Sequence, residues 1–243
     1  MRLFEQLRTL KQEFFYLFLE PERADAWVSR LRECAVAAAV EWRPRNFEEL
    51  AGRAPGCIGR IRLDAVSINA IEIVKGVSSQ EGAREGKGGH TVYYEDHFLI
   101  QTPERGVVTP VGAKRAPLRK YWVFGPIRGY RWRGGPLAER LAADAALEAV
   151  LAHANEGAIA IYFDKKRQAI CIRRRYSGTP DHLQQGAGAY NGAAPGGLAG
   201  RLLNTFNIRP AAPPDHGLPS RDLMGAYLRI AETIRAYAGL PAT

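Results

Sequence analysis

The 243-residue chain is poor in cysteine: Cys34, Cys57 and Cys171 lie far apart and form no CxxC pair. That spacing argues against a disulfide framework and against a CxxC zinc site, so the expectation is a chain without metal or cofactor in a reducing cytoplasm. No apolar run approaches the roughly 20 residues that cross a bilayer. Met1 to Leu19 alternates charged and apolar residues and offers no small-residue cleavage site, unlike a secretory leader. Phosphate-cradle signatures are missing too. The glycines between Gly76 and Gly89 match neither GxxxxGK[ST] nor GxGxxG, and the residues after them read as a strand where both motifs need a helix. No internal repeat recurs at a fixed period.

What is present is charge in one place. The formal net charge is +9, from 34 Lys and Arg against 25 Asp and Glu. Between Lys114 and Tyr176 stand 14 basic and 5 acidic residues, an excess that equals the whole net charge, while the rest of the chain balances. A concentrated excess creates a local potential that draws anions, whereas an even spread would speak mainly to solubility.

The apolar period fixes a coarse architecture. Leu3, Leu7, Leu10, Phe14 and Leu17 recur at helical spacing, and Pro21 opens a second helix through Trp27, Leu31 and Ala35 to Trp42. Asn46 with Glu49 has the form of a capping box for a short third helix. Cys57 to Leu63, Val66 to Val74, Thr91 to Gln101 and Arg119 to Phe124 are rich in β-branched and aromatic residues and read as strands, with Gly76 to Gly89 a long loop. Pro136 to His153 reads as one helix, followed by a β-hairpin of Ala158 to Phe163 and Ala169 to Arg175. Ser177 to Gly200 is dominated by Gly and Ala and Pro210 to Pro219 by Pro, with a short helix predicted from Leu198 to Phe206 between them. Ser220 caps a last helix that carries Leu223, Tyr227, Ile230, Ile234 and Tyr237 on one face. The expected fold is α+β: an amino-terminal helical hairpin region at 1–55, then a domain at 56–243 with a largely antiparallel sheet, a carboxy-terminal helix packed on it and a Gly/Pro-rich segment at 177–219. Trp132 to Arg175 resembles the carboxy-terminal part of an uncharacterised family of bacterial membrane-associated proteins, a likeness that carries no motif and implies no activity.

Three constellations bear on function. The run from Lys120 to Arg133 interleaves basic residues with aromatics. Arg128, Arg131 and Arg133 suit phosphates, while Tyr130 and Trp132 have faces on which unpaired bases stack. The plainer explanation places Trp122 and Phe124 in the core, with Gly125 and Pro126 as a turn. Lys165 and Lys166 occupy the turn of the later hairpin, and Arg173, Arg174 and Arg175 its far end, roughly 20 Å away by strand rise. One compact anion cannot bridge that interval, so an extended polyanion, single-stranded nucleic acid first, is the expected partner of a non-enzymatic binding protein.

Two alternatives stand beside it. Phe14 to Leu19 is wider than one helical face needs and has basic neighbours, as in a peripheral membrane helix or a protein-interaction scaffold. Asp181-His182 and Asp215-His216 supply the groups of a hydrolase or metal site. Asp64, Glu72 and Lys75 approach a nuclease strand, with one residue too many between Glu and Lys. His90 and His97, seven apart, fall on opposite strand faces.

Overall fold

A computed structural model describes residues 20–45, 49, 56–64, 66–79, 90–103, 111–121, 124–177 and 215–241. Twelve elements follow in order: α1 (Glu22–Glu33), β1 (Ala38–Trp42), β2 (Cys57–Leu63), β3 (Ala70–Ser79), β4 (His90–Gln101), β5 (Gly112–Tyr121), β6 (Phe124–Gly134), α2 (Pro136–Ala143), α3 (Ala145–His153), β7 (Ile159–Asp164), β8 (Ala169–Ser177) and α4 (Arg221–Ala238). The strands form one sheet in the order β1-β2-β3-β4-β8-β7-β5-β6, and every pair is antiparallel. The fold is α+β, with the carboxy-terminal helix packed on the sheet as the sequence predicts.

Alternation along the strands sends Ile71 and Ile73, Tyr94, Phe98 and Ile100, Ile159 and Ile161, and Ile170 and Ile172 to the face that the helices cover. Phe98 is the meeting point. Trp27 of α1 packs on its edge at 6.0 Å and Tyr227 of α4 stacks on its ring at 4.4 Å. Ser220 caps α4 by accepting the Leu223 N–H.

The amino-terminal hairpin expectation holds only in part. The first helix lies outside the described residues, and the second ends at Glu33, so that residues 38–42 are strand β1 rather than helix. Helix α1 stops in a Schellman turn: Ala35 N–H bonds Arg32 O at 2.9 Å, Val36 N–H bonds Leu31 O at 2.9 Å, and Val36 and Leu31 bury together. The left-handed residue of that turn is Ala35, at φ 58°, where glycine is usual. The stop signal is therefore hidden in an alanine-rich stretch. Of the predicted third helix only Glu49 is described, and its carboxylate accepts the Arg45 N–H.

The helix expected from Pro136 to His153 is two, because Asp144 turns its side chain to accept the Leu147 N–H at 3.1 Å and starts α3 afresh. Gly76 to Ser79 continue β3 instead of opening a loop, and residues 80–89 lie outside the described residues. The strand expected from Arg119 to Phe124 is the end of one strand and the start of the next, and Gly125 and Pro126 belong to β6 rather than to a turn. Both prolines of this pair are accommodated: β6 is an edge strand, and Pro117 lies where β5 has left β7 and keeps only β6 as neighbour.

Candidate anion-binding face

The sheet presents its other face away from the helices. Register places one cross-strand row there: Arg133 opposite Lys114, Lys114 opposite Ala160, Ala160 opposite Arg173, Arg173 opposite His97, His97 opposite Glu72, and Glu72 opposite Arg60. Paired residues of an antiparallel ladder project to the same side, so the row is a single line of side chains. Two residues along, Arg131 pairs with Ala116 and Arg175 with Glu95.

The two halves of this face differ in charge. Toward β1 the basic groups are matched: Arg60 reaches Glu41 at 2.9 Å and Glu72 at 3.0 Å, Arg62 reaches Asp64 at 3.2 Å, and Arg167 reaches Glu72 at 2.7 Å and Asp164 at 2.5 Å. Toward β6, no carboxylate among the described residues pairs with Lys114, Arg131 or Arg133, all exposed. Arg173 meets Glu95 only at 4.0 Å, and Glu95 is shared with His97 Nε2 at 3.1 Å. Arg175 lies 3.6 Å from the centre of the Tyr93 ring. That ring lies across Gly76 of β3, where a Cβ would come within 2.2 Å of it. Burial pushes the Cys171 thiol up to about 12, so it is inert beneath this face.

The expected site residues therefore divide. Arg131, Arg133, Arg173 and Arg175 share one face. Arg128 is exposed at the β-bulge of the β5–β6 ribbon, and Lys165 and Lys166 are exposed in the β7–β8 turn at the other end of the hairpin. Trp132, Tyr130 and Arg174 point to the helix side. Trp132 is buried and donates to Glu148 at 2.6 Å, and Tyr130 lies over Gly157 with the Arg115 guanidinium 5.0 Å from its ring. The side chains of Trp122 and Phe124 lie outside the described residues. Lys114, Tyr93 and Tyr162 were missed by sequence reasoning. Their signal is the period of two, which joins Lys114 to the Arg131–Arg133 face.

Arg174 belongs to a buried polar network under the sheet. It donates to Glu156 at 2.9 Å and to Asp96 at 3.2 Å, and Tyr176 donates to Asp96 at 3.3 Å. Arg23 donates to Tyr176 at 2.6 Å and to the His216 carbonyl at 2.7 Å. Glu20, in the left-handed region at φ 43°, accepts from Lys75 at 2.5 Å and from Tyr94 at 2.6 Å. Burial pushes the Asp96 carboxyl up, against the pull of Arg174 and Arg23, and draws the Lys75 ammonium down, against the pull of Glu20. Carboxylates Glu20, Asp96 and Glu156 face cations Arg23, Lys75 and Arg174, so the network is balanced and ties α1, the sheet and the segment before α4 together.

Glu72 and Lys75 stand on opposite faces and serve different ion pairs, which dismantles the nuclease-like reading. Asp181 and His182 lie outside the described residues. Among those described, no group of three or more His, Cys, Asp or Glu converges as metal ligands do. No described helix is long and apolar enough to cross a membrane. Comparison with known protein families, curated proteins and solved structures finds no match.

Proposed function

We propose that this is a non-enzymatic binding protein that engages an extended polyanion, nucleic acid foremost, through the β5–β8 half of its open sheet face. The observation that carries the reading is the row Arg133, Lys114, Ala160, Arg173, with Arg131 and Arg175 beside it. Lys114, Arg131 and Arg133, which no carboxylate among the described residues neutralises, with Arg173 only distantly paired to Glu95, give a sheet-mounted array of cations of the kind a phosphate backbone requires. Lys165 and Lys166 stand roughly 20 Å from Arg175 along the hairpin, so they join the site only for a longer polymer.

The test is retention on immobilised heparin and binding of a labelled oligonucleotide. Arg131→Glu with Arg133→Glu is expected to abolish both. Lys165→Glu with Lys166→Glu is expected to weaken a long polymer and to leave a short oligonucleotide almost unaffected. Full retention by the first double variant refutes the reading.

A further inference from the structure

Resting on that polyanion reading, we propose that the face holds one unpaired strand of nucleic acid lengthwise, in a trough whose walls are arginine and whose floor is the small side chains of β5 and β7. Arg131 and Arg133 on β6 form one wall and Arg173 and Arg175 on β8 the other. Between them β5 and β7 present Ala116 and Ala160, both half-buried. Their neighbours in sequence, Arg115, Ile159 and Ile161, are turned under the sheet. Three strand spacings separate β6 from β8, roughly 14 Å. Lys114 rises from the middle of the row as a further phosphate partner.

The end of the floor is aromatic. Tyr162, two residues from Ala160 on the same face, pairs with Gly112, where a Cβ would meet nothing within 4 Å. Open space therefore lies over Gly112, on the β5 side of Tyr162, whose ring packs on Leu99 and Cys171 with the Arg173 guanidinium 6.0 Å from its centre. An aromatic face with free space next to it and a cation above suits an unpaired base. From Gly112 to Ala116 the floor runs about 13 Å, room for about two nucleotides.

The same shape disfavours a duplex. Its grooves admit a helix or a two-stranded ribbon, and an eight-stranded sheet is far broader. A duplex would touch the walls by its phosphate ridge and leave the alanine floor and Tyr162 unused. An unpaired strand uses both, phosphates to the walls and bases to the floor.

Ala160→Phe tests this without changing charge, because it fills the floor with a residue that strands favour. With labelled oligodeoxythymidylate, the expected result is at least ten-fold weaker binding with the salt dependence kept. A duplex of equal length, expected to bind the wild type less tightly, should change less than two-fold. Wild-type affinity of the variant for oligodeoxythymidylate while heparin is still retained overturns the trough and leaves the polyanion reading standing. Failure of the wild type to bind any polyanion overturns both. Tighter binding to phosphatidylserine vesicles than to the oligonucleotide overturns the choice of ligand. Should Ala160→Phe not fold, photo-crosslinking of 4-thiothymidine oligonucleotide to the wild type decides. Crosslinks in the peptide that contains Ala160 and Tyr162 support the trough, and crosslinks confined to other surfaces refute it.

Discussion

Arg174 holds its Nη1 3.2 Å from the Asp96 carboxylate beneath the sheet, while Arg173 and Arg175 on either side of it stand on the opposite face. Three consecutive arginines thus have two jobs. Arg174→Ala removes one partner of a buried ion pair and leaves Asp96 and Glu156 short of a cation, which destabilises the protein by about 3–5 kcal/mol. Arg173→Ala and Arg175→Ala each change stability by about 0.5 kcal/mol or less. Urea denaturation of the single variants checks this, and similar midpoints for all of them would contradict it.

Asp164 shows a pH dependence of definite sign. Burial works against its charge, but the Arg167 guanidinium and the N–H groups of Lys166 and Arg167 outweigh that and hold the carboxyl below its ordinary 3.8. A depressed folded pKa contributes stability above 3.8 that is lost as pH falls through the folded value. Asp164→Ala should therefore destabilise by about 1 kcal/mol at neutral pH. The gap to wild type should narrow as pH falls below 3.8. A gap that widens on acidification would be inconsistent with this assignment.

Ala35 offers a stabilising change. It is exposed and left-handed, a conformation that costs an L-residue roughly 1–2 kcal/mol and glycine nothing, against glycine's extra unfolded-state entropy. Ala35→Gly is expected to raise stability by about 0.5 kcal/mol, the reverse of the usual penalty for glycine near a helix. Thermal unfolding decides, and a lowered midpoint counts against the Schellman assignment.

Thiol accessibility follows from burial. Cys57 and Cys171 are buried, and Cys34 is partly exposed. Native protein should react with a small thiol reagent at Cys34 alone, slowly because burial raises that thiol too, and at all three cysteines once unfolded. Prompt native labelling of Cys171 would contradict its burial against Tyr162 on the Arg173 side of the sheet.

Much of this architecture was legible in the amino-acid pattern. The strand from Cys57 to Leu63, the hairpin of β7 and β8, and the Ser220 cap follow from alternation and capping chemistry. What was hidden had unusual local chemistry. Ala35 ends a helix where glycine would announce the stop, Asp144 restarts one inside an unbroken apolar period, and Pro117 and Pro126 sit within strands because those edges carry no partner. The proposed anion-binding face was half legible. Basic density marked the region of the proposed face, but density is blind to the two-residue period that separates Arg131 and Arg133 from Trp132, and Arg173 and Arg175 from Arg174. The pairing of β5 with β7 is long-range, and only it brings Lys114 and Arg133 into line with Arg173.

The most direct measurement is the slope of log affinity against log salt for a single-stranded oligonucleotide, wild type beside Arg173→Ala with Arg175→Ala. Each phosphate contact on a single strand contributes about −0.7 to that slope, so losing both arginines should flatten it by about 1.4 while the fold is kept. A wild-type affinity indifferent to salt, or identical slopes for the two proteins, would contradict binding through this face.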